Sequence, residues 1–202
     1  MSKEKPIIFS TLMVKAILEG RKTQTRRVMN PQPWSGQSVV AHKQAKQKYH
    51  VGDILWVRET WGYDSAINEI KYCYKADGGY YPGGEHYTGG HWHPSIHMPR
   101  KAARIFLEVT NVRVERLQDI SIEDCIKEGV ILKSQVDDMG FYKDGYHAGT
   151  HYKTWDEVLL GEKEKAPKHF FKGLWNTLNA KRGYSWENNP WVWVIELKRV
   201  KK

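Results

Sequence analysis

A mainly antiparallel, barrel-like α+β domain is what this sequence predicts, on three observations. Alternating apolar runs open, centre and close the chain. Helical spacing recurs only in short segments that stop at glycine, and neither a βαβ alternation nor an internal repeat period is present. The 202 residues, 40% of them hydrophobic and 12% aromatic, suffice to bury one core, so a single domain spanning 1–202 is expected.

The elements follow in order. Residues 6–9 read as a short strand, and 11–19 as a helix capped by Ser10 or Thr11, with Met13, Val14, Ile17 and Leu18 on its apolar face. Gly20 is its natural stop. Residues 30–50 carry prolines and little periodicity and read as a loop insertion. Val51-Gly52-Asp53 is a turn signal that feeds a β-rich run over 54–59, for which 70–75 is the candidate partner. The Gly-, His- and Pro-rich stretch 77–99 reads as a second insertion. Residues 103–117 form the clearest strand, and its change of register near Thr110 and Asn111 predicts a bulge or bend. Ser121 caps a helix over 122–128 that Gly129 stops. A third insertion is expected over 130–166, with a short helix opened by Thr154-Trp155-Asp156-Glu157. Phe170, Phe171, Leu174, Trp175 and Leu178 place a helix over 167–181, and 190–197 is a terminal strand.

Composition narrows the partners. The formal charge is +9, from 32 Lys and Arg against 23 Asp and Glu. Such an excess favours polyanions, because neutralised phosphates release counterions. No apolar run reaches the roughly 18 to 20 residues that a membrane helix needs, and the first residues hold no apolar signal core. Cys73 and Cys125 are isolated and match no metal spacing, so a reduced, cytoplasmic protein without cofactor is expected, with a monomer as the simplest state.

The densest chemistry lies in Gly20-Arg21-Lys22-Thr23-Gln24-Thr25-Arg26-Arg27, four cations and two hydroxyls directly after a helix. Together with Val51-Gly52-Asp53-Ile54-Leu55-Trp56-Val57, the 103–117 strand, the 120–129 helix and the aromatic final strand, this segment resembles the ASCH superfamily. The resemblance implies a small PUA-like β-barrel with flanking helices and long loop insertions, and a link to RNA. The common ASCH signature, Gly-x-Lys-x-x-Glu-x-Arg, reads here as Gly20, Lys22, Thr25 and Arg27, with Thr where Glu is usual. The bacterial N(4)-acetylcytidine amidohydrolases of the superfamily carry the same Thr. Their third functional residue, a Glu in the helix after the long strand, falls on Glu128 here, with Glu123 and Glu157 as further candidates. The Trp56 to Trp61 segment and the Asn-Pro-Trp-Val-Trp ending look more like longer ASCH proteins of phages and prophages.

The residue chemistry is consistent with that implication. A Thr hydroxyl attacks a carbonyl only when a neighbour takes its proton, and a Lys destabilised by burial and nearby cations becomes such a base. Amide hydrolysis would then have Thr25 attack, Lys22 accept the proton, Arg27 or a backbone N–H hold the oxyanion, and Glu128 protonate the leaving amine. Residues 25 and 27 share one face of a strand, so Lys22 joins them only if 21–24 form a turn or bulge. Arg21 is assigned to binding; it and Arg26 are expected to face outward. The bland reading makes the cations a solvated patch and the threonines β-formers.

Other clusters carry weaker expectations. His91, His93 and His97 have no acidic or thiol partner at ligand spacing, so no metal is expected. Trp56, Trp61 and Trp92 are candidate base-stacking rings with Arg58 and Arg100 on phosphates; otherwise Trp56 faces the core of its strand and Trp92 anchors its loop. Glu59 is either an ion-pair partner for Arg27 or a second catalytic carboxylate. Trp191 and Trp193 share one strand face and read as core or barrel wall. Three functions remain open: an amidohydrolase acting on an N(4)-acylated cytidine or related nucleoside, a non-catalytic RNA-binding module, and a ribonuclease.

Overall fold

The computed structural model describes residues 3–33, 46–64, 71–78, 92–130 and 166–201. The chain is α+β. Seven strands are present among the described residues: β1 (Glu4–Ile8), β2 (Gln24–Val28), β3 (Ile54–Arg58), β4 (Trp61–Asp64), β5 (Lys71–Tyr74), β6 (Phe106–Arg116) and β7 (Trp191–Val200). Three α-helices accompany them, α1 (Thr11–Leu18), α2 (Ile122–Lys127) and α3 (Ala166–Asn179). No described helix is long and apolar enough to cross a membrane.

The local signals explain the elements. The Ser10 hydroxyl accepts from the Met13 amide at 3.4 Å and opens α1, whose Val14, Ala16 and Ile17 are buried. Gly20, at φ +77°, ends that helix in the left-handed region. Ser121 caps α2 by accepting from the Asp124 amide at 3.1 Å, and Gly129, at φ +86°, stops it. The turn ahead of β3 is held by Asp53, whose carboxylate accepts from the His50 amide at 2.7 Å and from Lys5 Nζ at 2.6 Å.

Five strands form one sheet in the order β1-β3-β6-β7-β2, and β4 pairs with β5 in a separate two-stranded ribbon. β1 runs parallel to β3, with Glu4 opposite Ile54 and Ile8 opposite Arg58. The expected antiparallel character therefore fails at this edge, and the chain between β1 and β3 is long enough for the crossover that parallel pairing requires. β3 and β6 are antiparallel, with Trp56 opposite Phe106. The order is linear, with β1 and β2 at its ends, so barrel closure is not seen among the described residues. β5 pairs with β4 rather than with β3. β4 escapes sequence reading because Trp-Gly-Tyr-Asp is too short to show a period. β6 runs unbroken through Thr110 and Asn111, where its burial pattern changes without ending the strand.

Contacts group the chain into two compact units. One comprises Met1–Arg21, Tyr49–Asn111 and Glu196–Lys202 and buries Ile7, Leu55, Val57, Leu107 and Val109. The other comprises Lys22–Lys48 and Val112–Ile195. Its core gathers Leu117, Ile120, Cys125, Val130, Phe171, Trp175, Val192 and Val194. The expected insertions over 30–50 and 77–99 lie partly, and that over 130–166 almost wholly, outside the described residues.

A Cβ on Gly20 would meet nothing within 4 Å, so the cost of a side chain there is purely conformational. Gly20→Ala is expected to lose about 1 kcal/mol from the left-handed backbone alone. Urea denaturation should show a lower midpoint with an unchanged slope.

Candidate active site

The Gly20–Arg27 segment does not run straight. Residues 21–23 lie outside any strand, and β2 begins only at Gln24. Thr23 donates its amide to the Lys127 carbonyl at 2.9 Å, which ties this turn to the end of α2. Lys22 therefore enters the second unit beside Glu128, the C-terminal cap of α2.

Lys22 is only 5% exposed. Its ammonium donates to the Gln24 carbonyl at 2.8 Å, the Glu128 carbonyl at 2.8 Å and Glu128 Oε2 at 2.9 Å. Three donors meet three acceptors, as a buried ammonium requires. Burial pushes its pKa below the ordinary 10.5, Glu128 pulls it back up, and the Arg27 and Arg26 charges push it down again, leaving it lowered.

Arg26 is the correction. Expected to face outward, its side chain is 0% exposed. Nη1 reaches Glu128 Oε1 at 3.1 Å, while Nη2 reaches Glu115 Oε2 at 2.9 Å and Asp124 Oδ2 at 2.8 Å. Arg113 donates to Glu115 at 2.5 Å and to Asp124 at 2.6 Å. Lys22, Arg26 and Arg113 thus balance Glu115, Asp124 and Glu128, which lets a largely buried set of ions persist. Burial works to raise the Asp124 carboxyl, but the Arg26 and Gln24 side chains and the Arg26 and Arg113 charges hold it below the usual value. The Gln24 amide lies near Asp124, yet neither of its buried polar atoms closes a hydrogen bond of normal geometry.

Strand alternation divides β2. Arg26 lies over the Phe171 ring, and Val28 packs on the core of the second unit, so Gln24, Arg26 and Val28 face the helices. Thr25, 4% exposed, and half-buried Arg27 belong to the other face. The structure brings Lys22 and Glu128 together ahead of β2, and Thr25 follows within the strand, on the face opposite Arg26. Glu123 is exposed in the first turn of α2, and Glu157 lies outside the described residues.

The remaining candidates lie in the first unit. Arg21 pairs with Glu19 through Nε at 2.7 Å and through Nη2, at the exposed end of α1. Half-buried Trp56 has the Arg58 guanidinium 5.6 Å from its ring centroid. Trp61 is buried against Met98 and Ala102, which makes it core. His93 stacks on Tyr63 with ring planes 4° apart, and among the described residues no group of three His, Cys, Asp or Glu could hold a metal. Glu59, 1% exposed, is paired with Arg104, not Arg27, through bonds of 2.9 and 3.0 Å. Arg104 also binds Asp77 and lies 3.8 Å from the Tyr74 ring centroid. The ion pair expected between Glu59 and Arg27 is thus made with Arg104 instead.

Sequence reasoning missed Arg26, Arg113, Glu115 and Asp124 as one network. The alternation of Arg113 and Glu115 on the polar half of β6 was its only signal. No protein-family model matches the chain, and neither a curated protein nor a solved structure matches it.

The Glu59 pair yields a signed prediction. Burial pushes this carboxyl above 4.5 despite Arg104, and Asp77 pushes it further up. A raised acid stabilises the fold less as pH rises from the unfolded value through the folded one. Removing Arg104 leaves the carboxylate buried without a partner. Arg104→Ala should cost about 3–5 kcal/mol at pH 7 and visibly less at a lower pH that protonates Glu59. Equal losses at both pH values in urea denaturation would assign the effect to lost packing on Tyr74 instead.

Proposed function

We propose that this chain is a PUA-like ASCH protein of the amidohydrolase kind, removing the acyl group from N(4)-acylated cytidine or a closely related nucleoside. One observation carries the reading: a buried Lys22 ammonium 2.9 Å from a buried Glu128 carboxylate, immediately ahead of Thr25. A structural ion pair needs no hydroxyl at that position, whereas acyl transfer does.

The pair can hold its proton on either side. Ammonium with carboxylate and amine with carboxylic acid differ by one proton shift along the Lys22 Nζ to Glu128 Oε2 hydrogen bond. Burial favours the neutral amine of Lys22. The neutral form is the reactive one. Thr25 Oγ1 attacks the acyl carbon as its proton passes to Lys22, and Arg27 or a backbone N–H holds the oxyanion. Collapse breaks the C–N bond, with the Glu128 proton going to the exocyclic amine, and leaves the acyl group as a Thr25 ester. Lys22 then returns its proton to Glu128, accepts one from water as hydroxide attacks the ester, and Thr25 leaves with a proton from Glu128.

A second reading, a non-catalytic RNA-binding module, has its own support. Lys22 is fully satisfied by three acceptors, as a purely structural lysine would be, and the +9 charge suits an extended polyanion.

Incubation with N(4)-acetylcytidine, followed by chromatography, separates the two. The wild-type protein should release cytidine and acetate, and Thr25→Val should lower kcat/KM by about a hundredfold or more. Wild-type turnover no faster than that of Thr25→Val would sink the hydrolase reading, and an RNA mobility shift surviving the substitution would then favour the binder.

The pH dependence is a separate check. Lys22 accepts a proton only when neutral, and its pKa lies below 10.5. Because the reactive form keeps the pair's one proton on Glu128, activity should fall as pH rises through an apparent pKa lower than that of a free lysine, where the pair loses that proton.

A further inference from the structure

Alternation gives the sheet of the first unit two faces. Ile7, Leu55, Val57 and Leu107 are buried on one of them. On the other, the strand registers set three rows across the sheet: Ile8 beside Arg58, Pro6 beside Trp56 and Phe106, and Glu4 beside Ile54 and Glu108. Ile8 is 43% exposed, and Ile54, Trp56, Arg58 and Glu108 are half-buried, so solvent reaches every row of this face.

Its charges are unevenly matched. Arg100 lies 4.5 Å from the Phe106 ring centroid and donates to Glu4 at 2.8 Å, so that pair is closed within the chain. Arg58 is different. Its guanidinium lies 5.6 Å from the Trp56 ring centroid, its Nε is buried without an acceptor, and among the described residues no carboxylate pairs with it. Among the same residues the Glu108 carboxylate has neither an ion-pair nor a hydrogen-bond partner. The register keeps the two apart. Glu108 stands opposite Ile54, four residues along β3 from Arg58, which separates the two Cα atoms by about 14 Å.

An unpaired cation and an unpaired anion at opposite ends of an aromatic row make the face complementary to itself. A two-fold axis lying in the interface, across the strands at Trp56, reverses the face end for end. It sets Arg58 of each copy over the row of Ile54 and Glu108 in the other and lays the two Trp56 rows together.

We propose that this face joins two copies of the chain in an isologous dimer, each Arg58 pairing with the partner's Glu108 around a centre of Trp56 rings. The exposed aliphatic Ile8 and the carboxylates of Glu4 and Glu108 suit a protein surface better than a nucleic acid, whose partners are strongly basic and polar. Trp and Arg are the side chains that most often anchor protein interfaces. The face is small beside a standard interface, so the dimer is a weak one, with a Kd of about 10–100 μM. The dimer is independent of the hydrolase reading.

Sedimentation velocity of the full-length protein from about 5 to 500 μM brackets that affinity and tests the proposal. The wild-type protein should pass reversibly from monomer to dimer. Arg58→Glu and Glu108→Arg each set like charges together twice per dimer and should weaken association about tenfold or more, while the double reversal should restore it to within a few-fold of wild type. A wild-type protein monomeric throughout the range, a dimer indifferent to both single reversals, or a folded double reversal that associates no better than the singles would each overturn the proposal. Should either reversal prevent folding, Ile8→Asp decides: loss of the dimer supports the face, and unchanged association removes it. A monomeric wild-type protein whose mobility shift of a short RNA is lost in Arg58→Glu would assign the face to nucleic acid instead.

Discussion

The buried guanidinium of Arg26 is the constraint on which the second unit depends. With its side chain wholly removed from solvent, it needs opposite charge on several sides, and Glu115, Asp124 and Glu128 supply it. Two of these carboxylates come from α2 and its cap, one from β6. Satisfying one cation therefore fixes a strand, a helix and a helix end against one another. Because breaking such a pair strands an uncompensated charge, at a cost of about 3–5 kcal/mol, the arrangement has few alternatives. An apolar residue at this position would pack without demanding any register, so the ion network specifies more than it stabilises.

Lys22 inherits its position from that arrangement. Glu128 is held by Arg26 through one oxygen and meets Lys22 through the other. The lysine is thereby caught between opposing effects: burial and two arginines disfavour its charge, and one carboxylate sustains it. Strand alternation gives β2 two faces, one turning Arg26 to its three carboxylates and the other carrying Thr25 and Arg27.

The first unit solves a similar problem in another way. Glu59 is nearly as buried as any apolar residue, yet it has a single cationic partner, and Arg104 is shared with Asp77 and laid over Tyr74. The desolvation of Glu59 is consequently less well compensated, and its carboxyl is raised where Asp124 is lowered. The difference follows from the deeper burial of Glu59 and from the number of cations that surround each carboxylate.

Several features were determined by sequence alone because their causes are local. Ser10 and Ser121 cap the helices, and Gly20 and Gly129 end them, since a hydroxyl acceptor and a left-handed backbone act within a few residues. The break between Gly20 and β2 was expected because a straight strand would put residues 22 and 25 on opposite faces. The strands of residues 54–58, 106–116 and 191–200 were legible from alternation. What only the tertiary structure decided are partners far apart in the chain: the parallel pairing of β1 with β3, the burial of Arg26, and the choice of Arg104 rather than Arg27 by Glu59. A run of cations looks solvated when read along the chain, because nothing local distinguishes a paired arginine from a hydrated one. Glu115, Asp124 and Glu128 are separated from Arg26 by about ninety residues or more, and only folding brings their charges close enough to draw that guanidinium out of water.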